Sequence, residues 1–394
     1  MAVSPQAVDA SSSWNLPWSR PPDRGCLLVP VEPVICSVVS KSHLGFARAL
    51  VRSFRRWHPA GRAYVLVVDE PEGCYDPAAE EFTVIALADL RLRDPRGFCF
   101  RYDSFSLCNA LKPSLLRYLI RERNENHLLY LDSDIGVFGA LDPLFSALAR
   151  CEVLLTPHTR VDFPEDGAWP VRSVLLTSGT YNAGVLGVRN SPESLRFLEW
   201  WAGALELECV DDPARGIFVD QRYLDLVPVL FEGVQVLRHD GVNTAHFNLH
   251  HRRLRREQGR WFANADPLLL FHFTQVDWPK LGFYARVTRP LLVDQPLLPE
   301  LLGEFREELV RADFERARAW ACTYDRFANG LPLTKETRAV FRHEAGPHPS
   351  TQDPFTDERW LRVQRGFDRQ RRWREWRALP GKIWRRFRNH LSAG

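Results

Sequence analysis

The sequence predicts an α/β fold: a mixed, mostly parallel sheet with helices on both of its faces. Short apolar runs of strand length alternate along the chain with segments whose apolar residues recur at helical spacing, a pattern typical of parallel βαβ units. With 394 residues, of which 45% are hydrophobic, the chain can also bury the large core that such a fold needs.

The first βαβ unit lies near the start of the chain. Val34–Val39, apolar except for Ser37, is the first segment that predicts a strand. An amphipathic helix follows over His43–Trp57, because its apolar residues recur on one face. A second buried strand is predicted at Ala63–Val68 and a third at Phe82–Leu87.

The same alternation continues downstream. A helix is predicted over Ser104–Arg123, and Pro113 should kink or break it because proline has no N–H to donate. We expect Pro157–Ser178, rich in Pro, Gly, Asp and Trp, to be a long functional loop. Further strands are predicted at Leu128–Leu131, Val153–Thr156, Asn182–Val188, Gly233–Leu237 and Leu268–Phe273. Further helices are predicted to begin at Asp142, to cover Ser191–Glu208, to lead from Asp220 to Leu230 and, most strongly, to cover Leu301–Trp320.

Composition divides the chain into a disordered leader (1–30), a main domain (31–290), a helical extension (291–358) and a basic aromatic tail (359–394). The net charge of +3 hides an asymmetry: the tail holds twelve Lys/Arg and two acidic residues, whereas positions 1–358 hold 40 basic and 47 acidic residues. An acidic body offers no basic groove for nucleic acid. The tail interleaves arginine with Trp and Phe, so it is either a peripheral contact with an anionic membrane or a solvated tail.

Three features predict a cytoplasmic protein, with the tail as a candidate peripheral contact at the inner face of the membrane. No apolar run approaches the ~20 residues that span a bilayer. The N-terminus is polar and lacks the charged start and apolar middle of a secretory signal. The eight cysteines are scattered without a CxxC pair, which fits reduced thiols better than a disulfide frame or a zinc site.

Asp132-Ser-Asp134 directly follows the predicted strand Leu128–Leu131. Because side chains alternate along an extended segment, Asp132 and Asp134 project to the same side, just beyond the strand. Ligands of open α/β sheets bind in the crevice at this edge. Two carboxylates there suit a divalent cation that also holds phosphate oxygens. The alternative is an Asx turn with solvated carboxylates, since Asp and Ser favour turns.

Four other positions are ambiguous from the residues alone. His272 ends a predicted strand and is either a satisfied core histidine or a metal ligand. Asp220 is either a functional carboxylate or the N-cap of the helix that it begins. Lys112 and Lys280 stand out in a chain with few lysines, although each could be an ordinary solvated residue.

An ordered set of motifs resembles bacterial sugar-nucleotide glycosyltransferases of the GT-A type, especially the branch that includes glycogenin and the lipopolysaccharide galactosyltransferases. The motifs lie between about Val34 and Pro290 and are Asn109-Ala-Leu-Lys112-Pro, Leu129-Tyr-Leu-Asp132-Ser-Asp134, Tyr181-Asn182-Ala-Gly184-Val-Leu, Val219-Asp220-Gln221, Phe247-Asn248-Leu and Phe271-His272-Phe. The resemblance implies a Rossmann-like GT-A domain, here with a C-terminal helical extension. It also implies sugar transfer from a UDP-sugar to a glycan, lipid or protein acceptor, with retention of configuration.

The resemblance also implies a role for each motif residue. Asp132, Asp134 and His272 would hold Mn²⁺ or Mg²⁺ against the diphosphate, where the metal neutralises charge on the leaving group. Imidazole beside two carboxylates favours Mn²⁺. Asp220 and Gln221 would orient the donor sugar and stabilise an oxocarbenium-like transition state. Donor-binding roles fall to Ser37, Ser40, Lys112, Asn182, Ala183, Gly184 and Lys280.

The chain departs from the family pattern in two places. Relatives carry Thr-x-Ala-Asp in the nucleoside-binding loop after the first strand, whereas the loop that ends in Ser40-Lys-Ser-His43 has no acid; Asp69 and Glu70, after the second strand, are candidates to replace it. The loop that contains Lys280 also differs in residue order from the family's His…Gly…Lys-Pro-Trp.

Two other classes of function are compatible with parts of the pattern. A haloacid-dehalogenase-like phosphatase also has an Asp-x-Asp after an apolar strand, and Asp132 would then be its nucleophile. In that family the motif strand normally opens the chain, whereas here about a hundred residues of βα structure precede it. The other alternative is a non-catalytic module that binds a nucleotide-sugar or a metal.

Overall fold

The computed structural model describes residues 32–162, 171–283, 295–346, 348–350 and 352–378. The predicted leader, 1–30, and the end of the tail, 379–394, lie outside them. The strands are β1 (Val34–Val39), β2 (Arg62–Val67), β3 (Thr83–Ala86), β4 (His127–Leu131), β5 (Ile135–Val137), β6 (Val153–Pro157), β7 (Tyr181–Arg189), β8 (Asp211–Asp212), β9 (Ile217–Phe218), β10 (Val234–Val236), β11 (Leu254–Glu257), β12 (Arg260–Ala263), β13 (Asp266–Pro267), β14 (Leu270–His272), β15 (Val276–Asp277) and β16 (Gly282–Phe283).

The α-helices are mostly short, and several are joined by 3₁₀ turns, among them Lys41–His43, Gln221–Leu226 and Thr323–Asp325. The α-helices are α1 (Leu44–Trp57), α2 (Pro95–Arg101), α3 (Ser104–Ala110), α4 (Lys112–Arg123), α5 (Asp142–Leu148), α6 (Val171–Ser178), α7 (Pro192–Glu208), α8 (Val227–Leu230), α9 (Leu298–Arg311), α10 (Phe314–Ala317), α11 (Lys335–Ala345) and α12 (Glu358–Ala378). None of the described helices has both the length and the apolar composition needed to cross a membrane.

A seven-stranded sheet in the order β10-β6-β7-β4-β1-β2-β3 forms the centre of the fold. β7 pairs antiparallel with both of its neighbours, and the other neighbouring strands run parallel. On one face, Cys36 of β1 belongs to the same hydrophobic cluster as Leu115 of α4. α1 contacts β1 and β2 but contributes no residue to that cluster, so it covers the opposite face. The predicted fold class, a mixed and mostly parallel sheet with helices on both faces, is confirmed.

Three local predictions can be compared with the observed elements. The predicted helix over Ser104–Arg123 is two helices, α3 and α4, which separate just before Pro113, as expected. The interpretation of Pro157–Ser178 as a loop is wrong at its end, because 171–178 is a helix whose apolar residues are diluted by the polar stretch before it. The strong helix predicted over Leu301–Trp320 ends at Arg311, because Asp313 adopts a left-handed backbone with φ of 61°.

The hairpin of β11 and β12 is not among the elements predicted from the sequence. The strands pair antiparallel and are joined by Gln258 and Gly259, which both have positive φ, at 49° and 78°. This backbone fits a two-residue hairpin turn whose twist matches that of the strands. Arg255, Arg256 and Arg260 obscure the alternation of apolar residues by which strands are recognised.

The C-terminal helices are present as predicted, and they share the core of the main sheet. Phe100 of α2 is surrounded by three aromatic rings of the extension and one of the tail at centroid distances of 4.7–6.2 Å, from Phe327, Phe341, Phe355 and Trp360. The buried Arg338 guanidinium donates to the carbonyls of Cys99, Phe100 and Tyr324. Because these contacts belong to the cluster that contains Cys36 of β1, the extension is built into the same core.

Candidate active site

The Asp-Ser-Asp turn and His272 meet because a short antiparallel pair aligns them. The amide of Asp132 donates to the carbonyl of Gly184 at 2.8 Å, and β5 begins three residues after Asp132. β14 pairs with β5 in a register that places His272 opposite Ile135. The amide of Phe273 also donates to the carbonyl of Asp134 at 2.8 Å. These hydrogen bonds fix the backbone from which the three predicted ligands project.

The three predicted metal ligands, Asp132, Asp134 and His272, converge on one point. One ligand atom from each lies within 4.8 Å of the other two. Nε2 of His272 is 3.1 Å from Oδ1 of Asp134 and 3.9 Å from Oδ2 of Asp132. Burial acts to lower the pKa of His272, but Asp134 and Asp132 hold that pKa above its ordinary value. The imidazole, the ambiguous member of the set, therefore faces the carboxylates.

Asn243 orients His272 from behind. Its Oδ1 lies 3.2 Å from Nδ1 of the imidazole, and an amide oxygen can only accept, so Nδ1 carries the proton that is shared with it. This leaves Nε2 directed at Asp132 and Asp134. Asn248 donates to the carbonyl of Asn243 at 2.8 Å and to that of His158 at 3.0 Å, so this motif residue supports the site from outside.

Gly184 is the small residue that this arrangement requires. A Cβ at this position would lie 2.6 Å from Oδ2 of Asp132 and 2.7 Å from Cε1 of His272. Since real side chains do not approach that closely, any larger residue would displace the ligand set. The glycine of β7 thus leaves room for the cluster, as the small residues at the start of this predicted strand suggested.

Lys112 connects the cluster to Asp220. Its Nζ is buried and lies 3.1 Å from Oδ1 of Asp132 and 3.0 Å from Oδ2 of Asp220. Burial acts to lower the pKa of Lys112, but these two carboxylates raise it well above its ordinary value. Tyr130 adds its hydroxyl, which donates to Oδ1 of Asp132 at 2.8 Å, while its ring lies 4.8 Å from the ammonium.

Asp220 does not cap the helix that follows it, so the N-cap interpretation left open by the sequence is wrong, and its functional role stays a prediction. Its side chain makes no capping hydrogen bond and pairs with Lys112 instead. Burial raises the pKa of the Asp220 carboxyl, and Lys112 opposes that rise. The preceding Val219 has a φ of 37°, which costs a β-branched residue conformational energy, and such strain clusters at functional sites.

Gln221 and Asn182 form a hydrogen-bonded floor beside the carboxylates. Oε1 of Gln221 accepts from Nδ2 of Asn182 at 3.0 Å and from the amide of Ala183 at 3.2 Å, and its Nε2 donates to the carbonyl of Ser178 at 2.8 Å. Nδ2 of Asn182 also lies 3.3 Å from Nε2 of His158. Both amide side chains are therefore locked in a single orientation.

His158 is a residue of this floor that the sequence analysis missed. Its Nδ1 lies 3.3 Å from the carbonyl of Thr180, and burial lowers its pKa to about 4. A signal was present, because His158 follows β6 directly, as Asp132 follows β4. The rule that ligand-binding residues follow the strands of an α/β sheet could have selected it.

The remaining predicted donor-binding residues differ in burial and in their hydrogen-bond or ion-pair partners. The carbonyl of Ala183 accepts from Nζ of Lys112 at 3.4 Å. Ser37 is buried within β1, and the hydroxyl of Ser40 is shared with Ser42 at 2.8 Å. Lys280 is 82% exposed and pairs with Asp277 at 3.1 Å. The donor-binding roles of these residues stay predictions.

The donor set fits a divalent cation. Two partly exposed carboxylates and one imidazole nitrogen are borderline-to-hard ligands suited to Mn²⁺ or Mg²⁺. Asp132, Asp134 and Asp220 bring three carboxylates, against the single buried ammonium of Lys112. Gly184 adds no side-chain atom of its own beside these ligands, and a Cβ there would contact Asp132 and His272.

No protein-family model matches the chain. It is similar to two uncharacterized proteins of Bacillus subtilis (strain 168). YfnF is 24% identical over 286 residues, which cover 70% of this chain and 92% of that protein. YfnD is 24% identical over 245 residues, which cover 60% of this chain and 76% of that protein.

Among solved structures, the chain is similar to the galactosyltransferase LgtC in complex with donor and acceptor sugar analogs, at 16% identity, 71% of this chain, 95% of that chain and a TM-score of 0.43. The glycosyltransferase GlyE of Streptococcus pneumoniae TIGR4 is 16% identical over 75% of this chain and 67% of that chain, with a TM-score of 0.41. Mouse xyloside xylosyltransferase 1 is 13% identical over 66% of this chain and 99% of that chain, with a TM-score of 0.37. These likenesses are similarities only, and the function of the chain is inferred below from its own residues.

Proposed function

We propose that this protein is a metal-dependent glycosyltransferase that moves a sugar from a UDP-sugar to a glycan, lipid or protein acceptor. The observation that carries the proposal is the convergence of Asp132, Asp134 and His272 beyond a strand end, beside the Lys112–Asp220 pair. A site with excess carboxylates suits a cation that in turn binds a diphosphate. The ordered motifs that resemble the GT-A family support the same reading.

Each residue would act on a different part of the donor. A divalent cation held by Asp132, Asp134 and His272 would neutralise the charge that develops on the departing diphosphate. Asp220 and Gln221 would face the donor sugar, where a fixed carboxylate stabilises an oxocarbenium-like transition state. Lys112, within 3.1 Å of both carboxylates, would favour the ionised forms of Asp132 and Asp220. Asn182, locked onto Gln221, would set the sugar's orientation.

The proposal extends to stereochemistry and to the cell. Retention of configuration follows from the family resemblance. The proposed cytoplasmic location is supported by the scattered cysteines without a CxxC pair. The proposed peripheral membrane contact is supported by the arginine- and tryptophan-rich tail, of which α12 is the described part. Trp360 packs against Phe100 in the core, so the truncation must start beyond it. Deletion of residues 379–394 should weaken association with anionic liposomes without abolishing UDP binding. Unchanged liposome partitioning would contradict the membrane contact.

Isothermal titration of UDP with and without Mn²⁺ tests the function directly. We expect binding that depends on Mn²⁺, together with slow Mn²⁺-dependent hydrolysis of a UDP-sugar that Asp132→Ala or Asp134→Ala abolishes. Absence of UDP binding under both conditions would overturn the proposal. Release of inorganic phosphate from a generic aryl phosphate with Mg²⁺ would favour the phosphatase alternative.

A further inference from the structure

The C-terminal extension reaches back to the edge of the sheet at which the nucleoside is proposed to bind. We use "the strap" for residues Ala312–Asp325, which contain α10 and the turn after it. The backbone of the strap lies against the start of α1, where a Cβ on Gly45 would be 2.6 Å from Cα of Phe314. The rings of Phe46 and Phe314 meet edge to face at 4.7 Å.

Thr323 of the strap is bonded to residues that follow β1 and β2. Its amide donates to Oδ1 of Asp69 at 2.7 Å, and Oδ2 of the same carboxylate accepts from the amide of Lys41 at 2.7 Å. Asp69 therefore clamps the loop after β1 to the strap. Because β1, β2 and β4 are parallel neighbours, this clamp lies on the same edge of the sheet as Asp132.

Lys41 is committed to this network and not to a ligand. It is 1% exposed, and its Nζ donates to Oγ1 of Thr323 at 3.1 Å, to the carbonyl of Glu70 at 3.3 Å and to Glu72. An ammonium has three donors, and all three are used here. Glu72 is brought into position by a positive φ of 48°, and its other oxygen accepts from Oγ1 of Thr323 at 3.1 Å.

We propose that the strap is part of the donor site and that Thr323 is a positioning residue for the loop Ser40–His43. Through Asp69 and Lys41 it fixes the backbone of this loop, which departs from the family pattern and has no acid of its own. A pre-organised loop binds its ligand with a smaller entropy loss. This inference rests on the proposed function and adds a segment beyond 290, outside the motifs that resemble the family.

The test compares Thr323→Val with two matched variants. Thr323→Val removes the hydroxyl but keeps the amide that binds Asp69, and Thr323→Ser restores the hydroxyl. Thr356→Val makes the same change on an exposed residue of the extension, whose hydroxyl donates to the carbonyl of Asp353. For each protein we would measure UDP affinity at saturating Mn²⁺, Mn²⁺ affinity, the melting temperature and amide hydrogen exchange over residues 40–46.

We expect Thr323→Val to bind UDP about tenfold more weakly, because the buried ammonium loses an acceptor and the loop relaxes. Its Mn²⁺ affinity should be unchanged, its amides at 40–46 should exchange faster, and Thr323→Ser and Thr356→Val should match the wild type. Glu72→Ala, at a half-exposed position, should show the same pattern if Thr323→Val folds poorly.

A lower melting temperature with unchanged UDP affinity and unchanged exchange at 40–46 would overturn the inference, since the strap would then serve stability alone. Wild-type protein that binds no UDP in the presence of Mn²⁺ would overturn the proposed function, and the inference with it.

Discussion

Two charged networks lie beyond the strand ends of the same sheet, and they differ in how completely their hydrogen bonds are satisfied. The strap network consists of Lys41, Asp69, Glu72 and Thr323. In it, Lys41 and Asp69 are buried, and each of their donors and acceptors has a protein partner. The metal-side cluster consists of Asp132, Asp134, His272, Lys112 and Asp220. In it, Asp132 and Asp134 remain partly exposed, with side-chain exposures of 28% and 27%.

The balance of charge differs in the same direction. Lys112 pairs with Asp132 and Asp220 but not with Asp134, so the three carboxylates of the metal-side cluster outnumber its ammonium at a partly exposed point. The strap network leaves no polar group of Lys41 or Asp69 for a ligand. A network whose hydrogen bonds are all made within the protein therefore holds the backbone in place, whereas a cluster with excess negative charge is suited to bind a cation.

The largest effect is expected at Lys112, whose ammonium lies between Asp132 and Asp220. Lys112→Met would leave Asp220 buried without a counter-ion, so the free energy of unfolding should fall by about 3–5 kcal/mol. Urea unfolding without added metal measures this loss. Lys280→Met changes an exposed lysine and should leave stability unchanged. An unchanged midpoint for Lys112→Met would contradict the ion-paired state of Asp220.

The floor beside the cluster predicts a dependence of stability on pH. Burial lowers the pKa of His158 to about 4, whereas in the unfolded chain it is about 6.5. The unfolded state therefore binds the extra proton between these values, and stability is fully present above pH 6.5 and is lost as the pH falls towards 4. The loss is on the order of 3 kcal/mol. Urea unfolding at pH 7 and pH 4 should show that His158→Gln removes this part of the slope; an equal slope in the variant would contradict it.

A substitution at Gly184 tests the geometry of the predicted metal ligands, because it adds one methyl group beside Asp132 and His272 without changing any polar group. Gly184→Ala should lower Mn²⁺-dependent hydrolysis of the donor about 100-fold by pushing apart Asp132 and His272. The matched control is Gly203→Ala, on an exposed helical position with open space around it. That variant should keep full activity and gain ~0.5–1 kcal/mol of stability. Full activity of Gly184→Ala would refute the proposed ligand set.

Asn243 tests the support of the metal-side cluster, with the smallest expected effect. Asn243→Gly keeps the left-handed backbone at φ of 55° but removes the oxygen that holds Nδ1 of His272. Mn²⁺ affinity in the presence of UDP should fall about 10- to 100-fold, the usual effect of removing a hydrogen-bond partner of a metal-binding histidine. Asn124→Gly, at an exposed helix end with the same φ, is the control. Equal affinity of the two variants would show that His272 needs no such partner.

Much of the main sheet could be predicted from the sequence because its signals are local. The apolar run of β1 was placed to the residue, and the helix break before Pro113 follows from the chemistry of one side chain. Asp132 and Asp134 could be selected because they follow a buried strand at a spacing of two. The hairpin of β11 and β12 was missed because its arginines conceal the same kind of local signal.

The order of strands and helices and the residue types at the strand ends follow from local signals in the sequence. Which of those residues meet depends on the packing of distant elements. His272 lies 138 residues after Asp134 and reaches it through the pairing of β14 with β5, and Asn243 shows no periodic signal at all. Asp220 changed from a candidate cap to the partner of Lys112. Thr323, more than 250 residues from Asp69, joins it only because the extension folds back onto the sheet. Periodicity reports the environment of a residue along its own element, whereas contacts across the sheet depend on how distant elements pack.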